Sequence, residues 1–480
     1  MAIAQSNKGF LTLLKKRNFL RLWLAQLISM TILNATNYAL IMLINSIVPH
    51  STIMIGLAII CFSVPAVLFG APAGVFVDRL DKRRVLWTSN CLRAIVTLIF
   101  AFVLLAHRSS VLVPIYLLTF IVSAIGQFFT PAEGSAIPML VDEDELMPAL
   151  SLFNITFMLS QAIGYVLMAP LAIALLPTFT LFNVPIDAFI QLYAIITILY
   201  LICAALIVSI PHASFTHRGD TQTEPVPDLA AETISIVRRM QNEMKEGWHF
   251  IHKRRSLLLA VVQLSFVGIL ILVIGQIATP IVTDLLNMNA NLMALVFAPA
   301  GIGLVLGSVL MPRITRHLGK LRTILIGNVG LTIATLLLPL STVFARWLEP
   351  QHWNKDPWLL VAMAGCMFVA GVALDFVNIP AQTAMQELTP EWIKGRVLAL
   401  QLVLYNACSI PVILIIGILS DTSLHIDRVL YLLSGSILIF GIWSVYYERR
   451  HPTVSIAQQE QLVEREETPL TTVPGRGNVD

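Results

Sequence analysis

The stretch GVFVDRLDKRRVL, residues 74–86, follows a run from Ser51 to Val77 without one charged residue. It then places six charges in seven positions: Asp78, Arg79, Asp81, Lys82, Arg83 and Arg84. Apolar sequence resumes directly afterwards. Charge at lipid depth is costly, so charge concentrated between two long apolar runs reads as a short connection at a membrane surface.

Composition agrees. Of 480 residues, 57% are hydrophobic and 12% charged, against about 25% charged in soluble domains. A formal charge of +3 spread over such a chain does not gather the basic face that nucleic acid requires, so that partner class is excluded. Cys61, Cys91, Cys203, Cys366 and Cys408 all sit inside apolar runs without metal spacing, as small buried hydrophobes do. The sequence contains no nucleotide-binding glycine loop, metal-ligand cluster or nucleophile motif. Neither an enzyme activity nor a cofactor is expected. The basic N-terminal residues lead straight into a full-length apolar run, which predicts a retained first helix rather than a signal peptide.

A bilayer core about 30 Å thick needs roughly 20 apolar residues as helix, because backbone groups in lipid must be satisfied within their own segment. Ten runs meet that length, near 21–46, 52–77, 85–106, 111–137, 256–283, 292–312, 321–344, 357–385, 396–420 and 427–447. LLPTFTLFNVP (175–185) breaks the long apolar region after Glu145 into spans near 148–174 and 186–210, giving an all-α polytopic protein of twelve spans. Short basic loops stay cytoplasmic. Lys and Arg fall overwhelmingly on the termini and the even-to-odd loops, which places both termini in the cytoplasm and the protein in the plasma (inner) membrane.

The chain divides into an N-terminal six-helix bundle (1–211), a cytoplasmic linker (212–255), a C-terminal six-helix bundle (256–450) and a polar tail (451–480) expected to be disordered. Within the linker, Ile234, Val237, Met240, Met244, Trp248 and Ile251 recur at helical spacing among basic residues, which suits an amphipathic helix on the inner membrane surface. The bundles echo each other. PAEGSAIPMLVDEDELMPALSLFN from Pro131 and PAQTAMQELTPEWIKGRVLALQL from Pro380 align at an offset of 249. GVFVDRLDKRR likewise has a counterpart in GSVLMPRITRHLGKLR (307–322). Parallel repeats of six spans are a transporter pattern.

On these residues the chain resembles the major facilitator superfamily from about 15 to 448. That family's loop 2–3 signature reads Gly, three residues, Asp-Arg, one residue, Gly, then two basic residues. Gly74, Asp78, Arg79, Lys82 and Arg83 match it, and Asp81 replaces the second glycine. ELTPEWIKGRVLAL, with Gly395 and Arg396, and TSNCLRAIV look more narrowly like the branch of enterobactin exporters and macrolide efflux proteins. Gly70, Gly74 and Asp78 recur every four residues and share one helical face, which allows close helix approach. The resemblance implies that the partner is the start of span eleven, whose positive N-terminal dipole favours an anion. Asp78 would then hold the cytoplasmic ends of the two halves together. For Lys82, Arg83 and Arg84 the simpler reading is a topology anchor.

Three further charges lie within the spans. Arg93 in span three faces protein or a water-filled cavity or, by snorkelling, reaches the inner surface. Glu133 in span four and Asp375 in span ten occupy similar depths. A desolvated acid there can bind and release a proton during transport, or it can simply bond helix to helix. One proton moving down 100 mV supplies about 2.3 kcal/mol. In the resembled fold, spans one, four, seven and ten line the central cavity. The substrate-contact candidates are Asn34, Asn37, Tyr38, Gln127, Gln161, Gln263, Gln276, Asn378, Tyr405 and Asn406, with interhelical bonding as the alternative for each. Asn154 and Gln401 belong to the same polar set. A cavity of amides, aromatics and apolar wall suits an amphipathic or lipophilic organic solute. The span-five stretch SQAIGYVLMAPLA (160–172) keeps only Gly164 and Pro170 of the glycine- and proline-rich pattern common among efflux antiporters.

The sequence therefore predicts a monomeric secondary transporter in the lipid bilayer, exporting a small-molecule substrate in exchange for protons. Uptake, lipid-headgroup movement and a non-transporting sensor or scaffold remain alternatives. If Asp78 gates, Asp78→Asn slows transport at unchanged protein level. Unchanged rates at equal abundance would refute the gating role.

Overall fold

The computed structural model describes residues 12–105, 111–181, 184–215, 244–350, 353, 357–422 and 425–450. The chain forms helices α1 (Arg17–Ile47), α2 (Thr52–Arg79), α3 (Lys82–Leu105) and α4 (Leu112–Leu140). Next comes α5, in which Glu143–Ala162 passes through a π-helical turn, Ile163–Met168, into Ala169–Leu175. Then follow α6 (Ala188–Val208), α7 (Arg255–Pro280), α8 (Met293–Leu318), α9 (Lys320–Leu348), α10 (Pro357–Glu387), α11 (Glu391–Thr422) and α12 (Ile426–Arg450).

Ten of the described helices are long and apolar enough to cross a membrane, and α8 carries the shorter apolar stretch Leu295–Met311. The two-part α5 completes the expected twelve. Its widened turn has a local cause. Pro170 donates no N–H and its ring crowds the carbonyl one turn earlier, so the preceding hydrogen bonds lengthen by one residue. Between α5 and α6 the chain makes a two-stranded antiparallel hairpin, β1 (Phe179–Leu181) and β2 (Val184–Ile186), where the sequence indicated only a turn. The amphipathic linker helix is described from residue 244 onward, and residues 244–253 are helical. The rest of that prediction, and the polar tail, lie outside the described residues.

Helix pairing repeats between the halves. In the first six, α1 packs on α5 and α6, α2 on α4, and α3 on α4 and α6. In the last six, α7 packs on α11 and α12, α8 on α10, and α9 on α10 and α12. Hydrogen bonds repeat with it. The Thr97 and Thr197 hydroxyls meet at 3.0 Å between α3 and α6, and those of Thr335 and Ser434 meet at 2.9 Å between α9 and α12.

Lipid is as apolar as any side chain, so helices associate here through close packing rather than burial from water. Glycine supplies the approach between α8 and α10: a Cβ on Gly303 would strike the Phe368 carbonyl, and one on Gly371 the Ala300 carbonyl. Because backbone cannot yield as a side-chain tip does, Gly371→Val should cost at least about 1–3 kcal/mol, read as a lower unfolding midpoint in detergent. Gly365, where a Cβ meets nothing within 4 Å, should accept Ala with little change.

Candidate functional site

The described termini of the helical bundle, Arg17 and Arg450, share one face. Lys16 donates to Asp142 at 2.6 Å and to Glu145 there, Asn18 Nδ2 donates to Ser214 at 3.0 Å, and Arg396 pairs with Glu246 at 2.7 Å. The charged connection between α2 and α3 lies on this face. Asp81, the departure from the family motif, is its hub. Its Oδ1 accepts the Arg83 N–H at 3.0 Å at the start of α3, and its Oδ2 meets His212 Nε2 at 2.8 Å. Arg83 reaches the Val208 carbonyl at 2.5 Å. An Asp just before a helix is an N-cap signal, so this role was available in the sequence.

The hydrogen bonds between the two halves, among the described residues, gather on the opposite face. Asp421 near the end of α11 accepts from the Thr52 N–H at 2.7 Å, the Ile53 N–H at 3.2 Å and the Ser51 hydroxyl at 2.8 Å. It therefore caps the N-terminus of α2 from the other half, where the helix dipole favours an anion. The Thr52 and Ser420 hydroxyls meet at 3.0 Å, and His50 Nδ1 lies 2.6 Å from Asp284 Oδ1. Gln276 is fully buried and donates to the Thr52 carbonyl at 3.2 Å and the Ile413 carbonyl at 3.0 Å. Two glycines bring α2 and α11 together. A Cβ on Gly417 would lie 2.9 Å from the Ile53 Cα, and one on Gly56 would lie 3.0 Å from Ile413.

The predicted gate at the other end is differently disposed. A Cβ on Gly74 or Gly395 meets nothing within 4 Å, and Gly70 faces Gln127 of its own half at 3.6 Å. The close approach of α2 to α11 inferred from Gly70 and Gly74 is thus realised at Gly56 and Gly417 instead. The side chains of Asp78 and Arg79 lie outside what is described. Lys82 sits half-buried at the start of α3.

The charges within the spans are buried. Arg93 donates to the Ser29 hydroxyl at 3.2 Å and lies over the Phe129 ring at 4.8 Å and the Tyr200 ring at 5.8 Å. It faces protein, one of the dispositions expected of it, and does not snorkel to the surface. Glu133 is buried with Oε1 unpartnered, and the Arg93 charge acts on it. Asp375 is buried against Gly307 of α8 and leaves Oδ2 unpartnered. From the terminus-bearing ends of their helices, the two acids lie about 10 Å and 18 Å along the axis at 1.5 Å per residue, so their depths differ by more than one helical turn rather than matching as the sequence suggested.

The polar candidates are disposed in different ways. Gln276 belongs to the seal described above. Gln263 is buried and donates to Ser444 at 2.6 Å, Asn34 and Asn406 bond their own helix backbone, and Tyr38 is buried in the core. Asn37 of α1, Gln127 of α4, Asn378 of α10 and Tyr405 of α11 are partly exposed, with the Tyr405 ring laid over Gly268 of α7. Gln161 is exposed, and the Asn154 side chain is not described. Asp421, His50 and Asp284 escaped the sequence reading because each lies at a span end and finds its partner in the other half.

Residues 22–412 match the family described as Major Facilitator Superfamily. A relative in Bacillus subtilis (strain 168), named as the uncharacterized MFS-type transporter YfiS, is 24% identical over 398 residues, 82% of each chain. The fold is similar to the nucleoside transporter NupG, with TM-score 0.58, 14% identity and coverage of 89% of this chain and 98% of that one. It is also similar to the inward open xylose transporter XylE from E. coli, with TM-score 0.64, 14% identity and coverage of 92% and 98%.

Removing a cap costs about 0.5–2 kcal/mol, so Asp421→Ala should open the seal roughly 2- to 30-fold more often. The readout is labelling of a cysteine at position 37, in a background lacking native cysteines, by an impermeant thiol reagent added on the sealed face. An unchanged rate would remove Asp421 from the seal.

Proposed function

Because the chain belongs to the major facilitator superfamily, we propose that it is a secondary transporter that works by alternating access and exports a small amphipathic or lipophilic organic solute in exchange for protons. The observation that carries this reading is the one-sided seal. Cross-half bonds close the face opposite the termini, while on the other a Cβ at Gly74 or Gly395 would meet nothing within 4 Å. With the basic loops placing both termini in the cytoplasm, this is an inward-facing state of a monomer in the plasma membrane. The halves 1–211 and 256–450 rock about the midline, and the linker 212–255 joins them.

Asn37, Gln127, Asn378 and Tyr405 are the wall residues that meet solute. An amide left partly exposed in the middle of a span is sustainable where water or solute reaches it. These groups offer neutral hydrogen bonds without a dense cluster of cations, which fits amphipathic or lipophilic organic molecules of the kind handled by the resembled exporters. Glu133 and Asp375 carry the protons, since each is buried with an oxygen that has no partner.

Purified full-length protein in proteoliposomes with an imposed pH gradient, screened over cationic dyes, macrolides and siderophores, should concentrate at least one of them in a protonophore-sensitive way. Glu133→Gln or Asp375→Asn should lower gradient-driven flux at least about tenfold, a barrier change near 1.4 kcal/mol, while solute exchange without a gradient persists. Full gradient-driven flux in both variants would exclude proton coupling through these acids. Movement of solutes only in the opposite sense would exclude export.

A further inference from the structure

Outside the interface between the halves, the C-terminal half carries a groove on its membrane-facing side. It lies between α9 and α12 and encloses about 330 Å³, lined by Leu325, Asn328, Val329, Leu438, Gly441 and Ile442 among others. Most of that lining is hydrocarbon. Thr332, Tyr446 and Arg449 also line it, but Asn328 is the buried amide among them: it is 4% exposed and its Nδ2 has no hydrogen-bond partner. A buried amide without a partner costs about 1–3 kcal/mol, so the groove fits an occupant that brings an acceptor.

The other half shows what a closed version looks like. Asn90 stands seven residues before Thr97, as Asn328 stands seven before Thr335, and both threonines bond the partner helix. Asn90 is wholly buried and its Nδ2 is used on the Leu86 carbonyl at 3.0 Å. At Asn328 the facing residue is Gly441, where a Cβ would lie 3.0 Å from the Asn328 Cβ. The missing side chain keeps the groove open.

Charge completes the pattern. Arg449 lines the groove near the terminus-bearing end of α12, and Arg322 stands one turn before Leu325 on the same face of α9. Both are exposed, and neither forms an ion pair among the described residues. Arg450 is occupied differently, over the Tyr446 ring at 4.5 Å. The half-buried Glu448 lies one turn beyond Ser444, whose hydroxyl meets Gln263 of α7, so it faces α7 rather than the groove. Along α9, Asn328 lies about 9 Å deeper than Arg322 at 1.5 Å per residue. Cations at the surface, a donor below them and hydrocarbon below that follow the order of phosphate, glycerol ester and acyl chain in a phospholipid.

We propose that this groove is a specific site for an anionic phospholipid, with the phosphate held by Arg449 and Arg322, an ester carbonyl accepting from Asn328, and an acyl chain along Val329, Ile442 and Leu438. The site does not depend on what the protein transports.

The test uses the purified full chain, delipidated in detergent and titrated with phosphatidylglycerol or with phosphatidylcholine of the same acyl chains, read by native mass spectrometry. A basic residue near the headgroup contributes about 1 kcal/mol, so one phosphatidylglycerol should be retained about fivefold or more over phosphatidylcholine. Arg449→Gln and Arg322→Gln should each remove about fivefold of that preference, and Asn328→Leu should weaken both lipids. Gly441→Leu should abolish retention. If it does not fold, Ile442→Trp fills the groove from the lipid side without touching the core and should do the same. A photoreactive phosphatidylglycerol should label peptides of α9 and α12. Equal retention of the two lipids, retention unchanged in the groove-filling variant, or labelling spread over all helices would mean annular lipid only and would overturn the proposal.

Discussion

Hydrocarbon offers a peptide group no hydrogen-bond partner, and that constraint shapes every element of this chain. Each crossing must satisfy its own backbone, so the spans are helices even where prolines interrupt them, as at Pro65 and Pro72 in α2 or Pro131 and Pro138 in α4. Since apolar side chains gain little by leaving lipid for one another, the helices are held by close contact. Glycine is consequently spent at crossings. Gly164 abuts the Thr31 carbonyl and Asn34 of α1, and Gly303 and Gly371 bring α8 and α10 backbone to backbone. Gly441 stands apart, because its missing side chain leaves room at a membrane-facing surface.

The antiparallel pair α2 and α11 concentrates the functional consequence. Asp421, at the end of α11, caps the start of α2 on the sealed face. Asp78 is in the mirrored position, at the end of α2 near the level where α11 begins. The same physical device, a carboxylate set against the positive end of a facing helix, is therefore available at both ends of one helix pair.

The sequence exposed what depends on runs of residue type: span number, all-helical class, repeat, basic face. Those properties follow from the cost of burying charge and from helix length, which are local. Glu133 and Asp375 were recognisable as buried acids for the same reason. What the sequence concealed were pairings. Gln276 has the composition of a cavity residue, yet it bonds Thr52 and Ile413 within the seal. Gly56 and Gly417 look no different from Gly70 and Gly74 until α2 and α11 are set side by side. Asp421 and His50 sit where loops begin, and only the fold brings a partner from more than two hundred residues away.

The two buried acids cannot act alike, despite the repeat that relates their helices. Glu133 lies in the field of Arg93, which is tied to Ser29 of α1 and rests on Phe129 of α4 and Tyr200 of α6. A charge on Glu133 would therefore stand beside a cation that already ties α1, α4 and α6 together. Among the described residues Asp375 has no such cation; it lies against Gly307 of α8, at the α8 and α10 pair whose glycines allow backbone-to-backbone contact. The same residue type thus meets two different surroundings: one acid sits beside a cation shared by three helices, and the other is wedged into a closely packed helix pair.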